Sequence, residues 1–191
     1  MTAREPAGSL TAVHEGVPLP LLVWDRPLYC HAPVEDPFDP AALASAGDGG
    51  DRWCSEGAPT AYLASDAGVA MAELARHHPP GGTAVERRIM RLEPRAHAIG
   101  SLVDLRDAAV LRALGAPVEP SRYLDAELAT SVAEAVRADG RHAGIIVPSM
   151  AFLDRLERPN IVLFAERAGD SGLSNLFAAW HEVARIAVGG P

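Results

Sequence analysis

Two short runs constrain this chain more than anything else in it. "GIIVP" (144–148) and "IVLF" (161–164) hold no charged or hydrogen-bonding side chain. Each is too short for an ordinary buried helix and far too short to cross a membrane. Each therefore reads as a strand buried on both faces, within "AGIIVPS" (143–149) and "NIVLFAE" (160–166). The two are expected to be neighbours in one sheet.

The rest of the chain must cover that sheet. "LPLLVW" (19–24), "TAYLAS" (60–65), "TAVERRIMRLEP" (83–94) and "IGSLVDLRD" (99–107) read as further strands, the last running into a turn. "SDAGVAMAELARHH" (65–78) reads as a helix. Ser65 or Asp66 can cap its first turn, and "HPPGG" ends it. "DAAVLRALGAP" (107–117) is a second helix, closed by Gly115 and Pro117. "DAELATSVAEAVRADG" (125–140) is a third, with Leu128, Val132, Ala135 and Val136 on one face and Gly140 as its stop. "LSNLFAAWHEVARIAV" (173–188) is predicted as a terminal helix, and 33–51, rich in proline, glycine and acids, as loop. Strands and helices mix without steady βα alternation. The fold class is α+β, a compact mixed or antiparallel sheet flanked by helices. Residues 1–18 are expected to form a loose arm and 19–191 a single domain.

Composition removes several function classes. The net charge is −8, which disfavours direct nucleic-acid binding. All 17 basic residues are Arg, so no catalytic role falls to Lys. Two cysteines, Cys30 and Cys54, do not make a disulfide framework and are expected to be reduced. With no apolar run of membrane-spanning length and no signal-peptide pattern, the expectation is a cytoplasmic protein that does not engage a membrane.

Candidate chemistry is sparse. Seven histidines invite a metal, but no H-x-x-x-H, C-x-x-C or H-E-x-x-H spacing occurs, so no metal and no bound cofactor are expected. "GDGGDR" (47–52) follows no strand and opens no helix, so it reads as a loop and not as a phosphate cradle. Ser149, in "VPSM", has no G-x-S-x-G elbow. It is either a hydroxyl offered to a ligand at a strand end or a serine capping a turn. Glu73 is a lone acid in a small and apolar stretch. It is either an acid at a helix edge or a carboxylate held in a cleft for electrostatic work.

The ordered set "RWCSEGAPTAYLASDAGVAMAEL", "LVDLRD", "GIIVPS" and "RPNIVLF" resembles the RES domain family over roughly residues 21–166. That resemblance implies an ADP-ribosyltransferase-like fold. It also implies an enzyme that degrades NAD⁺ at the nicotinamide–ribose bond, with inorganic phosphate or water as acceptor. NAD would be substrate and not cofactor, and phosphate a candidate co-substrate. The family implies a toxin of a toxin–antitoxin pair, partnered by an Xre-like helix-turn-helix antitoxin. Carried over by position, Glu73, Arg52 and Ser149 match catalytic residues, and Tyr62 and Asn160 match substrate-binding ones. The family's early Arg is replaced by Cys30 in "PLYCHA". Arg26, four residues upstream, is the candidate substitute, and Arg26 and His31, which follows Cys30, are further candidates for substrate binding. Without a substitute, the resemblance leaves a RES-fold protein that binds an NAD-like ligand or a partner without turnover. Related folds also carry out ADP-ribosyl transfer.

Overall fold

A computed structural model describes residues 19–46, 52–78, 81–169 and 172–190. The expected arm, 1–18, and most of the glycine-rich loop lie outside them. Nine strands are found among the described residues: β1 Leu22–Trp24, β2 Leu28–Pro33, β3 Ser45–Ala46, β4 Pro59–Ala64, β5 Val85–Pro94, β6 Ile99–Asp104, β7 Gly144–Pro148, β8 Pro159–Phe164 and β9 Phe177–Val188. They form one sheet in the order β1-β6-β7-β8-β4-β2-β5-β9, with β3 alongside β4. The β6–β7 pair is parallel and all others are antiparallel. A parallel pair needs a crossover. Helices α2 (Ala108–Ala113) and α3 (Ala126–Ala138) supply it, and α1 (Ala67–His77) follows β4.

The two apolar runs sit in the sheet interior, as their composition requires. In β7, Ile145 and Val147 join the core under α2 and α3, while Ile146 joins the core on the other face. In β8, Val162 and Phe164 face the first core, and Ile161 and Leu163 the second. Strand alternation thus feeds two hydrophobic layers. Gly144 is required where β7 begins, since a Cβ there would run into the Val162 carbonyl oxygen of β8.

The three predicted helices form, and Asp66, one of the two candidates, caps the first. Asp66 caps α1 by accepting from the Val69 amide (3.0 Å), Asp107 caps α2 and Asp125 caps α3. Each side chain satisfies an amide that the first turn leaves unbonded. Val69, Ala70 and Leu74 are the buried residues of α1, and α1 packs on Ile89 of β5.

Two expectations need correction, and one further strand is found. Residues 177–188 form a 12-residue edge strand and not a helix, paired with β5 along nearly its whole length. Its alanines and alternating charges suit either form. The decisive factor is β5, whose second edge would otherwise be unpaired. The segment 28–33, left unassigned, is strand β2. The stretch read as loop from 33 to 51 contains a 3-10 turn at Pro40–Leu43 and the short strand β3.

Candidate active site

The ladder between β2 and β4 is the shortest among the described strands. Strands β2 and β4 share a single register pair, Tyr29 with Ala64. Beyond that pair they part, and a cleft of about 490 Å³ opens between them beneath α1. Its walls include Tyr29 and His31 of β2, Tyr62 of β4, Asn160 of β8 and Glu73 of α1. Arg52, Trp53, Arg76, His77 and His78 also line it.

Glu73 is the best-supported side chain in the cleft. Its Oε1 accepts from the Ser149 hydroxyl (2.6 Å), the Asn160 amide (2.9 Å) and the backbone N–H of Ala151 (3.3 Å). Its Oε2 accepts from Nη1 of Arg76 at 2.8 Å. Burial is the largest single influence on this carboxyl and pushes its pKa up. The Ser149, Arg76, Asn160 and Ala151 donors together outweigh burial, and the pKa ends below the usual range. The group is therefore built to stay charged. This answers the alternative posed by the sequence: Glu73 is a carboxylate held in a cleft, not a helix-edge acid.

The support extends behind the carboxylate. Ser149 is fully buried and is not part of the cleft wall. Its hydroxyl faces Glu73, and its Oγ also accepts from the Ala151 amide at 3.2 Å. The loop from Ser149 to Arg158 is tied down at two further points. Arg106 donates to the Leu156 carbonyl (2.7 Å), and Arg158 donates through Nη2 and Nε to Asp66 (2.6 and 3.0 Å) while stacking on Phe152. The residue that caps α1 is therefore also the anchor of the loop that grips Glu73. Sequence reasoning missed Arg106, Arg158, Tyr29 and Arg76. Of these only Arg76, one helical turn from Glu73, left a local signal.

Arg52 lines the cleft from the opposite side. Its Nη1 donates to the carbonyls of Tyr123 (2.8 Å) and Leu124 (2.6 Å), which fixes the guanidinium plane. Desolvation first, then the charge of Arg76, holds its pKa below the ordinary value. Tyr62 is likewise fixed. Its oxygen accepts from the Trp53 amide (3.2 Å), and its hydroxyl donates to Cys54 Sγ (3.5 Å).

The early segment departs from expectation. Arg26 is exposed, stacks on Trp24 at 4.2 Å and is not among the residues lining the cleft, so it does not replace the family Arg. Cys30 borders the cleft floor, but its side chain joins Leu28, Ala32 and Leu92 in the core of the opposite face. Burial pushes that thiol up to about 12, so it stays protonated and is no nucleophile. Strand alternation puts His31 on the cleft side. Desolvation in the crowded wall, then the charges of Arg87, His77 and His78, pull its pKa down to about 4 although its outer edge is open to solvent. His31 is neutral at physiological pH. Cys30 and Cys54 are not joined in a disulfide. Among the described residues, no group of His, Cys, Asp and Glu is arranged to hold a metal ion. No described helix is long and apolar enough to cross a membrane.

The RES domain model matches residues 23–175. The chain belongs to the RES domain family. No curated protein matches the sequence closely enough to count as a relative. Among solved structures, the fold is similar to a chain in the crystal structure of the M. tuberculosis MbcT–MbcA toxin–antitoxin complex. The TM-score is 0.57 and the identity 16%, over 86% of this chain and 87% of that one. At that identity the likeness speaks for the fold. Glu73, Arg52, Tyr62 and Asn160 all line one cavity, and Ser149 lies directly behind it, bonded to Glu73.

Proposed function

We propose that this RES-domain chain splits NAD⁺ at the nicotinamide–ribose bond and serves as the toxin of a toxin–antitoxin pair. The observation that carries the reading is the ionised, fourfold-bonded carboxylate of Glu73 in a cleft that also holds the guanidinium groups of Arg52 and Arg76 and the rings of Tyr29, Trp53 and Tyr62. A chain of net charge −8 places those two guanidinium groups and those rings around one cleft. Such a pattern suits an anionic ligand with flat rings, which is what a dinucleotide is.

The chemistry follows from the charges. The bond from C1′ of the ribose to the nicotinamide nitrogen breaks, and its electron pair leaves with nicotinamide, which becomes neutral. No proton is needed by that leaving group. The ribose carbon is left oxocarbenium-like, and a fixed carboxylate beside it stabilises the developing positive charge. Glu73 is kept charged for that role and is unsuited to donating a proton. An oxygen of phosphate or water then bonds to C1′. Phosphate gives ADP-ribose 1-phosphate, while water gives ADP-ribose and releases one proton to solvent. Arg52, with its fork fixed by two carbonyls, holds a phosphate group. Tyr29 and Tyr62 flank the rings. The partner expected for such a toxin is an Xre-like antitoxin protein, as the toxin–antitoxin nature of the similar complex suggests.

The test is nicotinamide release from NAD⁺ by purified protein, with and without inorganic phosphate, followed by chromatography of the products. Release dependent on phosphate identifies phosphorolysis, and release independent of it identifies hydrolysis. No release with a folded protein and intact NAD⁺ refutes the reading.

A further inference from the structure

Both oxygens of the Glu73 carboxylate are hydrogen-bonded in this structure, although the side chain still reaches the cleft. Oε1 is committed to three donors in the protein interior, and Oε2, its other oxygen, is capped by Arg76. The Ser149, Asn160 and Ala151 donors belong to β8 and a pinned loop and cannot leave without unfolding them. Arg76 differs. It is on the helix surface, its side chain is 38% exposed against 19% for Glu73, and solvent screening on its side weakens its hold on the carboxylate. It is the one partner of Glu73 that can move cheaply. It also lines the same cleft as Arg52, and the two cations repel each other there.

We propose that Arg76 is a specificity-determining latch that covers the Glu73 carboxylate until a phosphate group of the substrate draws it away. An anion seated between Arg52 and Arg76 satisfies both guanidinium groups and relieves their repulsion. Arg76 then leaves Oε2, and the carboxylate faces the ribose with its full charge. A substrate that carries the same glycosidic bond but no phosphate leaves the latch closed. The cleft therefore selects a nucleotide over the corresponding nucleoside through the state of its own carboxylate, in addition to direct phosphate contacts. This inference rests on the NAD-splitting reading above. It goes beyond that reading by coupling phosphate recognition to the exposure of Glu73.

The experiment compares NAD⁺ with nicotinamide riboside, which has the scissile bond and no phosphate, in wild type, Arg76→Gln and Arg76→Lys. For Arg76→Gln the latch predicts a higher KM for NAD⁺ and, in the same protein, a several-fold higher kcat for nicotinamide riboside; an unchanged kcat for the riboside refutes the latch. The ratio of the two kcat/KM values should fall at least tenfold, and Arg76→Lys should recover part of it. Loss of both activities in parallel, or an unchanged ratio, overturns the proposal and leaves Arg76 an ordinary surface ion pair. If wild type consumes neither substrate, the NAD-splitting reading fails by itself. The latch is then judged by calorimetry with adenosine diphosphate and adenosine. Weaker diphosphate binding by Arg76→Gln with unchanged adenosine binding supports anion capture by Arg76, and equal diphosphate affinity in the two proteins refutes it.

Discussion

Replacing Glu73 by Gln removes one charge and almost no volume, and the surroundings of Glu73 let its consequences be separated. Three donors converge on Oε1, from Ser149 at 2.6 Å, Asn160 at 2.9 Å and the Ala151 amide at 3.3 Å. An amide oxygen can occupy that position and accept all three. The amide NH₂ must then take the Oε2 position, where it meets the Arg76 guanidinium and no longer attracts it. The lost ion pair costs about 0.3–0.5 kcal/mol. Conversion of charge-assisted hydrogen bonds to neutral ones adds roughly 1 kcal/mol more. For a chain of this size that lowers Tm by about 2–6 °C, which leaves a folded protein at assay temperature. The catalytic loss is larger. Removing one preorganised electrostatic contact to a developing charge costs about 10²–10³-fold in kcat, or roughly 3–4 kcal/mol. KM for NAD⁺ should change much less, because ground-state NAD⁺ carries its positive charge on the nicotinamide ring and not at C1′. The assay is initial-rate nicotinamide release over a range of NAD⁺ concentrations, with thermal melts on both proteins. Equal kcat in two equally folded proteins would show that the charge of Glu73 does no catalytic work, whatever its neighbours.

Ser149→Ala removes a buried donor from the same carboxylate and also the acceptor of the Ala151 amide, so it should cost about 1–3 kcal/mol and lower kcat as well as Tm; a kcat equal to wild type would show that Asn160 and Ala151 suffice to hold Glu73. Cys30→Arg should lower Tm by several degrees without raising turnover, because the side chain at position 30 belongs to an apolar layer where a guanidinium has no partner; a rise in NAD⁺ consumption in melts and rate assays would contradict that placement. Stability should fall on acidification from about pH 6.5 toward pH 4. The folded pKa of His31 is depressed to about 4 from 6.5, so the unfolded chain binds the extra proton in that window and the contribution is fully present only above it. Chemical denaturation of wild type and His31→Gln across that range should show a shallower slope for the variant.

What the sequence reveals about this fold depends on whether burial or pairing decides each element. β7 and β8 were legible because runs without polar side chains admit few placements, and α1 because Asp66 stands where a cap must stand. β9 was not, since Phe177–Val188 satisfies a helix and a strand about equally well by local propensity, and only the unpaired edge of β5 selects the strand. The site divides in the same way. Glu73 stood out as a lone acid among small residues. The groups that make it an ionised carboxylate lie 76, 87 and 78 positions away, at Ser149, Asn160 and Ala151, and no local pattern joins them. Position 30 shows how a match by position can mislead on a strand. Successive side chains on β2 alternate between faces, so one residue separates the apolar layer from the cleft. Cys30 falls in the layer and His31 in the cleft, while Arg26, nearer in sequence than most of the wall, stacks on Trp24 outside it. The cation expected near residue 30 is thus replaced by a neutral imidazole on β2, and positive charge enters the cleft from the segment before β4 and from the C-terminal turn of α1, at Arg52 and Arg76. Moving the cation onto the helix that carries Glu73 brings it within reach of the carboxylate itself, which makes coupling between phosphate capture and carboxylate exposure available to this chain.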